Sequence, residues 1–195
     1  EYLDVQGMTK INSIDLSAQK YLKTLKAKGS GISSITFANG APIERLELPS
    51  AMRVLELSQL PYLNSADVVL ENVANLQQII VSGCPNISDD FAFVYNWYLK
   101  KNTSNEDSVL VMDNITWEDI DVQALIEITN IKNLNLKGKV ILNSITYEEL
   151  NRLKAVFGES AFDPNAEFVI SVPNAVFISG VTEILEGNTA QYSCI

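Results

Sequence analysis

The stretch from Leu76 to Ile87 constrains this chain more than any other part of it. Its apolar residues follow the spacing Leu-x-x-Ile-x-Val-x-x-Cys-x-x-Ile. Because one residue separates Ile79 from Val81, both side chains point to the same face of a short strand. Cys84 follows at a turn, where a small side chain can be buried and can hydrogen-bond to a neighbouring backbone. A unit of this size cannot bury its apolar face alone, so the stretch predicts similar units packed on both sides of it.

The first half of the chain contains several such units. Each has the form apolar-x-x-apolar-x-apolar, and their second apolar residues are Ile14, Leu25, Ile35, Leu46 and Leu55. The interval is about 10 residues, roughly half of the 20–29 residues in one coil of a leucine-rich repeat. It predicts two short strands per coil, one on each side of a flat solenoid, with alternate strands pairing with each other.

The second half has a longer interval. Strand-like cores recur at residues 79–81, 110–112, 140–142 and 168–170, about 30 residues apart. Helix-start signals between them predict three helices, at residues 89–100 behind a Ser88 cap, at 116–129, and from a capping box at 146–149 to near Phe157. The pattern predicts parallel strands that alternate with helices, an α/β arrangement. The polar segment 100–107 is predicted to be an exposed loop.

The last residues have a different pattern. Pro173 and Asn174 end the preceding strand, and the alternation that follows predicts two strands joined by turns. We therefore divide the chain into a leucine-rich-repeat solenoid at residues 1–172 and the first strands of an incomplete immunoglobulin-like domain at 173–195. A complete sandwich of that kind needs about seven strands.

Composition excludes several classes of function. The chain has 14 Lys and Arg against 24 Asp and Glu, a formal net charge of −10, and such a surface repels nucleic acid. It has no His, the commonest general base and transition-metal ligand, and its two Cys show no zinc spacing. No apolar run reaches the roughly 20 residues that span a bilayer, so we expect no membrane insertion. The chain begins at Glu1, and we expect it to be a piece of a longer protein.

Several segments together resemble a known kind of protein. GAPIERLELPSAMRVLELSQLPYL, NLQQIIVSGCPNI and LKGKVILNSITYEELNRLKAVFG, with the closing strands, are similar to leucine-rich-repeat proteins of Bacteroides-type gut bacteria and their phages. In those proteins the repeats often precede immunoglobulin-like modules in tail-associated or surface proteins. The resemblance covers roughly residues 10–195. It implies a non-catalytic segment of a phage tail or virion, with no cofactor, whose partners are proteins of the assembly or a host-surface protein or glycan. The alternative is a secreted or cell-surface bacterial adhesin or glycan-binding protein.

For most residues that could react or bind a metal ion, a structural role is the simpler explanation. We expect Cys84 to be buried rather than reactive, and Cys194 to be an apolar strand residue unless it pairs with a cysteine outside this sequence. The pair Asp89–Asp90 and the cluster 105–107 lack the spacing of a calcium loop, so helix capping and a solvated loop explain them. No catalytic or metal-binding residue is therefore predicted.

The most specific functional hypothesis from the sequence is a contact face made by the outward side chains of adjacent strands. Its candidate residues are Asp15, Thr36, Glu47, Glu56, Ile80, Val111 and Ile141. Trp117 is added as a possible contact residue, with core packing as the alternative. The face changes from polar and acidic to apolar along the chain. An exposed apolar patch marks a contact with another molecule, and the open alternative is that the chain's own segments cover it.

Overall fold

A computed structural model describes residues 1–101, 107–176, 182–186 and 189–193, with the backbone alone from residue 174 onward. The chain forms two compact units. The first unit comprises Glu1–Asn114 and Ile131–Asn135, and the second comprises Ile115–Asn130 and Leu136–Ile195.

The described residues contain short strands and a few short helices. The strands are β1 (Tyr2–Asp4), β2 (Ser13–Leu16), β3 (Thr24–Lys26), β4 (Ser34–Phe37), β5 (Arg45–Leu48), β6 (Val54–Ser58), β7 (Val68–Leu70), β8 (Gln78–Ser82), β9 (Val109–Glu118), β10 (Asn133–Ile141), β11 (Phe168–Ser171), β12 (Asn174–Val176), β13 (Thr182–Glu186) and β14 (Thr189–Ser193). The helices are α1 (Pro85–Ser88), α2 (Phe91–Lys100), α3 (Val122–Ile128) and α4 (Tyr147–Phe157), with 3-10 turns at Ser65–Asp67 and Glu159–Phe162.

Alternate strands pair in the first unit. One parallel sheet has the order β1-β3-β5-β7, and a separate parallel pair joins β2 to β4. Strand β8 pairs in parallel with β6 on one side and with β9 on the other. The predicted pairing of alternate short strands is confirmed, since Leu25 pairs with Leu46 and Ile14 pairs with Ile35.

The period-two alternation of these strands explains the core of the first unit. In β6, Leu55 and Leu57 are buried while Glu56 and Ser58 are exposed. The same alternation buries Leu46 in β5 and Ile79 in β8 completely. Each fully buried Leu or Ile contributes about 1.5–3 kcal/mol relative to an exposed one. Rows of such residues on neighbouring strands therefore hold the unit together.

The second unit combines parallel strands with two helices. Gly138 to Ile141 of β10 pair in parallel with Phe168 to Ser171 of β11. Helix α4 begins after the predicted capping box: the Thr146 side chain accepts from the Glu149 backbone N–H, and Glu149 accepts from the Thr146 N–H at 2.8 Å. The helix ends before Gly158, as predicted. Arg152 of α4 donates to the Gln123 side chain of α3.

The other two helices begin later than predicted. Asp90, not Ser88, caps α2, because a short separate helix ends at the buried Ser88. Helix α3 begins at Val122 behind an Asp121 cap, not at Thr116. Thr116 still belongs to β9, where exposed residues alternate with buried ones, and this alternation outweighs the helix-start signal.

The prediction of a leucine-rich-repeat solenoid, flat and strand-rich first and then made of strand–helix repeats, is wrong. The structure is of the α/β class, with separate, mostly parallel sheets and few helices. The error has a physical origin: apolar spacing predicts which strand faces are buried and which short strands pair, but it does not determine how the resulting sheets are arranged.

The backbone of the last segment forms three antiparallel strands in the order β12-β13-β14, where two strands were predicted. Their assignment to an immunoglobulin-like domain stays a prediction. Among the described residues, no helix has the length and apolar character needed to cross a membrane.

Candidate contact face

The outward side chains of five strands in the first unit form a row. Asp15 of β2 pairs with Thr36 of β4, and Glu56 of β6 pairs with Ile80 of β8, which pairs with Val111 of β9. Strands β4 and β6 are adjacent. Since neighbouring strands lie about 4.8 Å apart, the row extends for roughly 19 Å. The structure thus brings together five of the eight predicted contact residues.

Two further rows flank this one, because residues two positions apart on a strand point to the same side. We define the first-unit face as the outward residues Ser13, Asp15, Ser34, Thr36, Val54, Glu56, Ser58, Gln78, Ile80, Ser82, Val109, Val111 and Asp113. The flanking residues were not predicted, although the same two-residue alternation applied to each strand identifies them.

The first-unit face changes character from β2 to β9. On β2 and β4 its residues are exposed and polar or acidic. Glu56 on β6 is exposed, whereas its paired neighbour Ile80 and the next residue, Val111, are half-buried. Val54 and Val109 are also half-buried. The face therefore has a polar and acidic half and a more apolar half, which keeps partial access to solvent and also carries one carboxylate, Asp113.

Hydrogen bonds fix one carboxylate on each of the two outermost strands of this face, β2 and β9. The Ser17 side chain and its backbone N–H hydrogen-bond to Asp15 and lower the pKa of its carboxyl. At the other end, Asp113 accepts from the Ser82 hydroxyl at 2.6 Å and from the Gly83 backbone N–H at 3.0 Å. These bonds orient the two carboxylates, one on β2 and the other in the middle of β9.

Three predicted contact residues lie elsewhere. Glu47 belongs to β5 in the other sheet, where its side chain is 12% exposed and forms an ion pair with Arg45 at 3.0 Å. Ile141 is half-buried and lies in the second unit. Trp117 is 1% exposed, so its assignment as a contact residue is wrong, because the alternation of β9 turns it inward.

Cys84 is a buried structural residue, as predicted. Its Sγ accepts from the Leu60 backbone N–H at 3.4 Å and lies 3.5 Å from the Leu57 carbonyl oxygen, to which it donates. Burial raises the pKa of this thiol, which disfavours the nucleophilic thiolate. Cys194 lies outside the described residues.

The predicted structural role of the acidic pair at 89–90 is confirmed for Asp90. Its carboxylate caps α2 by accepting from the Phe93 N–H at 3.2 Å, and it also accepts from the Ser65 hydroxyl at 2.5 Å. Residues 105 and 106 of the other acidic cluster lie outside the described part of the chain. Within the described part, no group of three or more His, Cys, Asp or Glu side chains is placed to hold a metal ion.

None of the thirteen described residues that define the first-unit face is aromatic. Trp97 is 1% exposed and donates from Nε1 to the Leu76 carbonyl oxygen at 2.9 Å. Tyr98 is half-buried, with the Lys101 ammonium 5.6 Å from its ring centre. Tyr147 is 52% exposed at the start of α4.

We compared the chain with protein-family models, with curated proteins and with solved structures, and nothing matched it.

Proposed function

We propose that this chain is a non-catalytic structural and recognition segment of a larger phage tail or virion-associated protein. It acts by presenting the first-unit face to another molecule of the assembly or of the host surface. The choice of a phage assembly depends on the resemblance to proteins of gut bacteria and their phages, and the contact role depends on the face itself.

One observation carries the contact role: Ile80 and Val111 pair side by side on a sheet face and keep partial access to solvent. Paired strands hold these side chains in fixed positions before any partner binds. Such preorganisation reduces the entropy lost on association. The apolar half of the face offers surface that a partner can bury, and the acidic half orients that partner through its charges.

Site-specific crosslinking tests this proposal. A photoreactive phenylalanine analogue replaces Ile80 or Val111 in the full-length protein within its phage particle or, for the alternative, on the bacterial surface. We expect light-dependent crosslinks from both positions to another chain. A matched probe at Val156, which is 44% exposed on α4, should give few or none.

The identity of the crosslinked molecule distinguishes the two settings. Crosslinks to tail or capsid chains support the virion assignment, whereas crosslinks to a host or envelope molecule support the bacterial adhesin. Equal crosslinking from Val156 and from the first-unit face, or none from the face, contradicts the contact role.

A further inference from the structure

We propose that the first-unit face binds a cationic and apolar polypeptide surface, with basic residues opposite Asp15 and Glu56 and aliphatic residues opposite Ile80 and Val111. This inference rests on the proposed function and specifies the chemistry of the partner.

The charge of the face favours a positively charged partner. Its acidic residues are Asp15, Glu56 and Asp113, and none of its thirteen residues, all within the described strands, is Lys or Arg. Across the other sheet of the same unit, by contrast, acidic and basic residues alternate: Asp4 pairs with Lys26, which pairs with Glu47. Charges on that second sheet are compensated within the chain. The first-unit face carries one sign of charge, so a partner of opposite charge suits it.

The arrangement of apolar residues on the face favours a partner that also presents aliphatic side chains. Ile80 and Val111 are direct neighbours in the central row, and Val54 and Val109 belong to the flanking row on the same side. All four are half-buried aliphatic residues. A partner that brought only charge would leave this area in contact with water, so aliphatic side chains are expected opposite it.

The composition of the face favours a polypeptide over a glycan. Sugar rings pack their C–H groups against the electron-rich faces of aromatic rings, and none of the thirteen residues of the face is aromatic. A polypeptide of mixed basic and aliphatic composition can match both halves of the face at once.

A peptide titration followed by the amide resonances of the intact chain tests the inference. The probe is an octapeptide in which Lys alternates with Ser in the first half and Val alternates with Ser in the second. We expect it to shift the amide signals of β4, β6, β8 and β9. The affinity should fall at least about tenfold when NaCl is raised from about 50 to about 500 mM, because salt screens exposed charges. A matched peptide with Glu in place of Lys should bind at least about tenfold more weakly.

Charge-reversal variants with a matched control sharpen the test. Asp15→Lys combined with Glu56→Lys should weaken the Lys peptide at least about tenfold and strengthen the Glu peptide. Glu148→Lys combined with Glu159→Lys makes the same change in net charge at exposed sites of the second unit, and it should alter the affinity by less than about twofold.

Three outcomes overturn the inference: no binding of the Lys peptide to the unaltered chain, an equal loss in the control variant, or binding of a neutral oligosaccharide such as maltohexaose at the same amides without peptide binding. Crosslinking from Ile80 and Val111 with any of these outcomes would leave the proposed function standing and would remove only the partner chemistry.

Discussion

Replacing Gly138 by Ala should lower the free energy of unfolding of the second unit by about 3–5 kcal/mol. Gly138 lies in β10 with φ near +132°, a backbone conformation that residues with a side chain rarely adopt. A Cβ atom there would overlap the backbone nitrogen and oxygen of Ile115. Those atoms belong to the neighbouring backbone and cannot move aside as a flexible side chain can, so strand β10 must shift.

Gly158→Ala is the matched control for this substitution. Gly158 also has a positive φ, +77°, but the nearest atom to an added Cβ is the Ser160 hydroxyl at 3.9 Å. We expect a smaller cost, about 1–3 kcal/mol, from backbone conformation alone, because its φ of 77° with ψ of 163° is rarely adopted by residues with a side chain.

The measurement uses urea unfolding followed by Trp117 fluorescence in a Trp97→Phe background. The chain has two tryptophans, and Trp117 lies in the second unit, so its signal reports that unit. Equal, small losses for Gly138→Ala and Gly158→Ala would show that β10 does not approach Ile115 as described.

Replacing Trp97 by Ala should lower the free energy of unfolding of the first unit by about 4 kcal/mol or more. The indole is 1% exposed, so its removal leaves a large cavity. It also leaves the buried Leu76 carbonyl oxygen without the donor that Nε1 provides at 2.9 Å. The cavity and the lost hydrogen bond both destabilise the packing of α2, the helix that carries Trp97.

Leu99→Ala and Trp97→Phe are the controls, and urea unfolding followed by far-UV circular dichroism is the measurement. Leu99 lies on the same helix and is 57% exposed, so we expect a loss below about 1 kcal/mol. Trp97→Phe keeps most of the ring but loses the donor, so its cost should lie between the other two. A Trp97→Ala variant as stable as Leu99→Ala would contradict the packing of α2.

The sequence was most informative where one physical signal acted alone. The capping box at Thr146 and the glycine after α4 determined both ends of that helix, because cap residues satisfy backbone groups that nothing else reaches. The buried role of Cys84 followed in the same way from its spacing. Alternation also predicted which side chains of β6 and β8 point outward.

The sequence-based prediction failed where two local signals competed, and where pairing between residues far apart in sequence determines the structure. Thr116 with Glu118 resembled a helix start, yet continued alternation with the buried Ile115 and Trp117 kept this segment in β9. Glu47 was grouped with Glu56 because both occupy the outward position of similar units, although the predicted pairing of alternate strands would have separated them. Which sheet a strand joins depends on non-local hydrogen bonds, and the spacing within one strand carries no information about them.

The central claim is that Ile80 and Val111 contact a partner, and a pair of substitutions tests it most directly. Three full-length proteins are compared: the double variant Ile80→Glu with Val111→Glu, the single variant Val156→Glu, and the unaltered protein. Circular dichroism first shows that all three are folded. The measurement is then their incorporation into the parent particle or their attachment to its surface. We expect the double variant to lose at least about nine-tenths of its incorporation, because two charges would be buried without partners, and Val156→Glu to retain it. Normal incorporation of a folded double variant would contradict the account.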